Sequence, residues 1–444
     1  MTSAVRTSRD VIVTYLTTTA LFTLAASLIW GINTLFLMDA GLDIFQVMLV
    51  NTAFTVGQII FEVPTGVVAD TIGRKASLLL GCFTLFVSTL VYVAAARFGW
   101  GIWAFAAASI VLGLGFTFQT GAVEAWLVDA LAFTGYEGGR EGVFAWGGMT
   151  FGVAMLVGTL GGGVLGQFDL VLPYVVRAVL LLVTLAAGAV MMRDLGFTPR
   201  PLALRSFGTE TRAIFDAGVT HGWRNPVVRP LLFVSAASGA FFLYGFYSWQ
   251  RFALDLLGRE LIWVAGVLTA VASLAGIAGN ALVRRVMRDG ELRRSPARVL
   301  AWSMAIITAL TVAIAVVGLL VGSPGVAPLF VAAALWSVWN VVFGIVGPVR
   351  QAYLNEQVPS AQRATVLSLD AFFADVGGAG GQPALGWLSR ATSIPIGWLV
   401  GAVFLGLTVP GYGASGRAAA RAIRAPDELP SAPDAATRTV PEHE

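Results

Sequence analysis

The sequence predicts an all-α integral membrane protein with twelve transmembrane helices in two halves of six. Three observations lead there. The 444 residues are 57% hydrophobic and only 12% charged, with a mean hydropathy of +0.79, which leaves too little polar surface to clothe a soluble body of this size. About twelve segments supply the ~20 mostly apolar residues that a helix needs to cross a bilayer. A polar stretch from Arg193 to Asn225, longer than any other internal loop, separates the sixth segment from the seventh.

In order, the segments cover residues 11–37, 44–69, 76–96, 101–131, 142–166 and 171–192, then 228–254, 261–283, 298–321, 327–349, 364–388 and 394–411. The chain is thereby divided into a first half (1–192), a cytoplasmic central loop (193–226) and a second half (227–413). Beyond it, the composition turns to Ala, Pro, Arg and Glu, which reads as a disordered cytoplasmic tail over 414–444. The first segment is long enough to span and lacks an A-x-A exit, so no cleavable signal peptide is expected. Of the 28 Lys and Arg, 23 fall on the side that holds the N-terminal arm, Arg74, Lys75, the central loop and the tail, against four on the other side and one, Arg177, within a span. Positively charged loops stay in the cytoplasm, so both termini are expected there, with the chain multi-pass in the plasma or inner membrane.

The same composition excludes other classes. The net charge of +3 comes from short basic blocks between apolar runs rather than from one polar face, so it reports orientation and not nucleic-acid binding. A single cysteine, Cys82, sits in an apolar run, and the two histidines are His221 and His443, so neither a disulfide, a metal cluster nor a histidine triad is expected. There is no H-E-x-x-H pair, G-x-S-x-G turn or Walker-type loop, hence no catalytic residue, no cofactor and no ATP-driven step.

Residues 66–75 read G-x-x-x-D-x-x-G-R-K between two apolar segments, and each position has a physical reason. Gly66 lets helix backbones approach, Asp70 ends a helix within reach of basic partners, Gly73 permits a tight turn, and Arg74 with Lys75 pins the turn to the membrane surface. This pattern resembles the loop between the second and third helices of the major facilitator superfamily. Preceding it, Phe61-Glu62-Val63-Pro64-Thr65-Gly66 is similar to a run in a bacterial branch of drug and metabolite exporters. In the fifth span, Gly158, Gly161, Gly162 and Gly163 are similar to the G-P-x-x-G-G signature of the family's antiporters, with Thr159 where proline is expected. The segment from Pro348 through Arg350 and Asn355 to Arg363 and Ser368 resembles the loop between the tenth and eleventh helices.

The resemblance covers the chain apart from its tail and implies two pseudo-symmetric six-helix bundles, a monomer, and a central cavity lined mainly by the first, fourth, seventh and tenth helices. On those helices Asn33, Gln119, Tyr244, Tyr247, Trp336, Trp339 and Asn340 are the candidate cavity residues, an aromatic wall with few polar anchors that suits a bulky, partly apolar molecule. It also implies a charge network of Asp70, Arg74 and Asp129 as a cytoplasmic gate, with Arg363 in the second hinge-and-gate loop. An arginine usual in the fourth span of proton-coupled exporters is replaced by Ser109, so proton exchange would fall to a membrane carboxylate. Glu62, Glu124, Asp370 and Asp375 are the candidates. Asp370 and Asp375 lie about 140° apart around a helix and cannot share a partner, and Asp375 is the deeper. Arg177 is expected to snorkel to the outer surface. The expected function is proton-coupled export of small amphipathic molecules by alternating access. Import of a nutrient by symport or facilitated diffusion is the alternative, and a membrane sensor a remote one.

Overall fold

The computed structural model describes residues 7–199, 219–257, 261–288, 295–321, 324–359 and 362–424, and they are almost entirely helical. The first half comprises α1 (Ser8–Ser27), α2 (Asn33–Asp39), α3 (Ile44–Thr71), α4 (Arg74–Phe98), α5 (Gly101–Thr117), α6 (Ala122–Phe133), α7 (Arg140–Phe168) and α8 (Leu172–Met191). The second comprises α9 (Val228–Leu257), α10 (Trp263–Val286), α11 (Pro296–Leu320), α12 (Val326–Glu356), α13 (Arg363–Ala391) and α14 (Ile394–Arg424), preceded by a π-helical turn over Val219–Trp223. Among the described residues, eleven helical stretches are long and apolar enough to cross a bilayer. The twelfth crossing is α13, whose 29 residues match the others in length but carry Asp370, Asp375 and Gln382.

The helix ends follow local chemistry. Thr7 and Asp43 each close a capping box, with Asp10 and Gln46, at the starts of α1 and α3. Gly73 enters α4 at φ +125°, a conformation L-residues avoid. Asp194 caps that helix from outside, its carboxylate accepting the Lys75 backbone N–H at 2.9 Å. The expected tail needs correction at its start: residues 414–424 continue α14, because Ala and Arg are good helix formers even where the sequence is no longer apolar. Residues 425–444 lie outside the described residues, as do 200–218 of the central loop.

Two crossings are interrupted, and the first interruption is occupied by a side chain from the other half. In the first, Trp30 N bonds Ser27 O in place of Ala26 O, which frees the Ala26 carbonyl. One turn on, the Gln250 amide of α9 inserts into the ladder: its Oε1 accepts the Thr34 N–H at 3.0 Å while its Nε2 donates to Trp30 O at 2.7 Å. In the fourth, residues 118–121 separate α5 from α6, with Gly121 at φ +71°.

The halves meet along α3 with α13 and α7 with α10, and through α2 with α9. Glycines make the second of these seams. A Cβ at Gly163 would stand 2.8 Å from Gly266 Cα on α10, and one at Gly266 would stand 2.9 Å from Thr159 O; within the first half, a Cβ at Gly162 would strike the Leu28 backbone of the first crossing. The face away from the 66–75 turn is further tied by the Gln250 insertion, by Arg390 with Asp43 at 3.3 Å and by the Trp263 N–H to Gln167 Oε1 at 3.2 Å. On the basic face, which carries the turn, no hydrogen bond or ion pair joins the halves among the described residues.

Candidate functional site

Between the halves lies a central cavity of about 390 Å³. Trp30, Asn33, Asn51, Tyr92, Tyr174 and Arg177 wall it from the first half, and Leu243, Phe246, Tyr247, Thr269 and Ser273 from the second. Of the expected cavity residues, Asn33 and Tyr247 line it. Gln119 lines a second cavity of about 450 Å³ within the first half, beside Tyr15 and Glu124, and the two share Trp30 and Phe116.

The other expected cavity residues pack elsewhere. Trp336 and Trp339 are 6% and 4% exposed and form a stack with Trp249 and Phe343 at ring separations of 4.7 to 5.2 Å in the core of the second half. The Trp339 indole donates to Thr311 Oγ1 at 3.1 Å. Tyr244 is fully buried and hydrogen-bonded with Ser389, and Asn340 donates to the carbonyl one turn back, Trp336 O, at 2.8 Å. Their helices do border the interior, but α9 and α12 turn these faces toward α11 and α14 rather than toward the cavity. Aromatic area buried between helices is worth more than the same area left wet.

Arg177 departs furthest from expectation. It does not snorkel; it is completely buried. The freed Ala26 carbonyl takes Nη1 at 3.2 Å, Thr89 Oγ1 takes Nε at 3.2 Å, and the guanidinium carbon stands 5.9 Å from the Phe116 ring centroid. The interruption of the first crossing therefore supplies a partner that no continuous helix would offer.

The carboxylates divide into two kinds. Asp370 is locked: Arg350 holds both its oxygens in a forked pair, and Ser235 donates to Oδ1 at 2.6 Å. Arg350, read from sequence as a loop residue, lies within α12, and its Nη2 also reaches Leu231 O at 3.2 Å. This cluster joins α9, α12 and α13. Glu62 and Glu124 are exposed, Asp375 is partly so, and no ion pair engages them among the described residues. Glu62 has Thr120 at 3.4 Å and lies near enough to Asp375, in the other half, for their charges to repel.

At the basic face Asp70 and Arg74 pair at 2.8 Å, and Arg74 also lies 5.8 Å from the Phe197 ring centroid. No ion pair joins Asp129 to them among the described residues; its neighbour in space is Gly196, a Cβ on which would meet Asp129 O at 2.9 Å. Arg363 donates to Asn355 O at 3.1 Å. A Cβ at Gly66 would meet nothing within 4 Å, so the close backbone approach expected of it is not made.

The Major Facilitator Superfamily model matches residues 15–382. No curated protein matches the chain in sequence. Among solved structures, the nucleoside transporter NupG superposes with a TM-score of 0.71 at 13% identity, over 91% of this chain and 98% of that one. The POT family transporter PepTSo gives 0.71 at 13%, over 95% and 99%. A bacterial homolog of the human lysosomal transporter Spinster, in an inward-facing and unoccupied conformation, gives 0.70 at 14%, over 93% and 98%. At such identities the likeness concerns the fold. With twelve crossings in two bundles around a central cavity, and a family model matching most of its length, the chain belongs to the Major Facilitator Superfamily, as a multi-pass membrane transporter and not an enzyme.

Proposed function

We propose that this protein is a secondary active exporter of small, partly apolar organic molecules, driven by proton exchange through alternating access. The position of the central cavity carries this reading. Both halves wall it, and those halves are bonded together at the far face while the basic face lacks such bonds among the described residues. With the basic loops in the cytoplasm this arrangement is inward-open. Rocking one bundle on the other about the Gly163–Gly266 contact would close the basic face and open the far one.

In this cycle the 66–75 turn, Asp129 and Arg363 serve as the cytoplasmic gate. Glu62, Glu124 and Asp375 serve as the proton-exchanging candidates, because each lies toward the face whose solvent exposure changes. Asp370 is set aside, since its charge is committed to Arg350. One chain supplies both cavity walls, so a monomer suffices.

Purified protein in proteoliposomes with an imposed pH gradient and a panel of dye-like substrates tests the proposal. Uphill movement of a substrate against the direction of proton flow is expected. Uphill movement in the same direction as the proton would replace export by symport, and equilibration indifferent to the gradient would make the protein a facilitator.

A further inference from the structure

Two buried polar atoms of the cavity wall have no partner among the described residues, and both are donors. Arg177 carries five N–H donors and is always protonated. Nε and Nη1 find neutral oxygens, but Nη2 is buried with no partner. The titratable groups facing the guanidinium are the phenols of Tyr92 and Tyr174, from α4 and α8, and no carboxylate pairs with it among the described residues. Among the described residues, no Asp or Glu lines the cavity. A second donor stands in the same wall. The Tyr174 hydroxyl donates to Asn33 Oδ1 at 2.8 Å, and Asn33 Nδ2 donates to Asn51 Oδ1 at 3.0 Å, so the chain of bonds ends on Asn51 Nδ2, which is buried without a partner. A buried cation with only neutral acceptors is costly, and the missing charge is one negative unit.

We infer that the transported molecule is a small organic monoanion, a carboxylate on an aromatic or branched apolar body, with its carboxylate seated on Arg177 Nη2 and Asn51 Nδ2. Two oxygens meet two donor groups, and one charge balances one guanidinium. A dianion would leave an excess negative charge in a low-dielectric wall. The apolar body lies against Trp30, Phe54, Phe116, Phe246 and Tyr247, in a volume suited to a molecule of drug size or smaller. The inference rests on the reading of this cavity as the transport site, and it narrows that reading to one substrate class.

Ligand protection against thermal unfolding tests the seat directly, using the purified full chain in detergent with benzoate, 4-phenylbutyrate and indole-3-acetate as probes. The matching amides, benzylamine, chloride and inorganic phosphate serve as comparisons. At least one carboxylate should protect saturably, with its amide at least tenfold weaker and the amine inactive. Arg177→Met should melt higher than the parent, since an unpaired buried charge is replaced by an apolar side chain of similar length, and should lose carboxylate protection. Asn51→Leu should retain the fold and weaken carboxylate binding several-fold. Equal binding of acid and amide, carboxylate protection that survives in Arg177→Met, an inorganic anion that binds without competition from carboxylates, or no binding by any carboxylate would each overturn the inference. Counterflow separates it from the broader reading. A carboxylate that binds through Arg177 but never crosses leaves the seat standing and removes the transport site; a neutral or cationic substrate that crosses independently of Arg177 does the reverse.

Discussion

Asp370→Asn decides whether this carboxylate is a structural latch or a proton carrier. In the native arrangement Asp370 accepts from Ser235 at 2.6 Å and from both terminal nitrogens of Arg350, with side-chain exposures of 10% for Asp370 and 19% for Arg350. Asparagine keeps one acceptor oxygen but sets an amide N–H₂ against a guanidinium donor and removes the counter-charge that pairs with Arg350. Leaving one partner of a buried pair uncompensated costs about 3–5 kcal/mol, and the residual exposure places this case near the lower bound. At about 3 kcal/mol the folded-to-unfolded ratio falls roughly a hundredfold. Heat-step fluorescence-detected size exclusion in detergent reads this as a clear drop in melting temperature. The double variant Asp370→Leu with Arg350→Met, which replaces the pair by apolar side chains, should recover most of the loss. The latch assignment fails if Asp370→Asn melts like the parent yet abolishes pH-driven accumulation, for then the carboxylate titrates rather than binds Arg350.

Gly162→Ala should slow transport and lower the melting temperature, because its Cβ collides with the Leu28 backbone at a cost of roughly 1–3 kcal/mol, whereas Gly161→Ala, with its nearest atom 3.8 Å away, should be silent. Reporters inserted near Thr209 and fused after Glu444 should be active only in their cytoplasmic forms; activity on the far side at either site reverses the orientation. Among Glu62→Gln, Glu124→Gln and Asp375→Asn, the variant at the coupling site should lose uphill, pH-driven transport while keeping downhill exchange, and full accumulation by all three would remove proton antiport through these carboxylates.

The crossings were legible because length and apolarity are local properties, and even α13 was found despite its two carboxylates. Pairings between helices were not. Arg350 and Asp370 stand 20 residues apart on different helices, and nothing in either segment names the other. Their helix alone points the tryptophans of α12 to the cavity, yet a helix has several faces, and only the packing of α9, α11 and α14 shows which one Trp336 and Trp339 occupy. Arg177 is illegible in the sequence for a further reason. Its partner is a backbone carbonyl released by an interruption in another crossing, a feature with no side-chain signature. Asn51, Tyr92 and Tyr174 line the cavity from the second, third and sixth crossings, outside the four helices that the family resemblance implies line it.

The interrupted first crossing places two unlike tasks within little more than two turns of backbone. Its Ala26 carbonyl holds the guanidinium beside the cavity, and its Trp30 carbonyl and Thr34 N–H hold the amide that fastens the far face. A continuous helix would have spent all three groups on itself. Here they are linkages to other helices, so the same short stretch of backbone joins the residue that borders the cavity to the residue that fastens the far face.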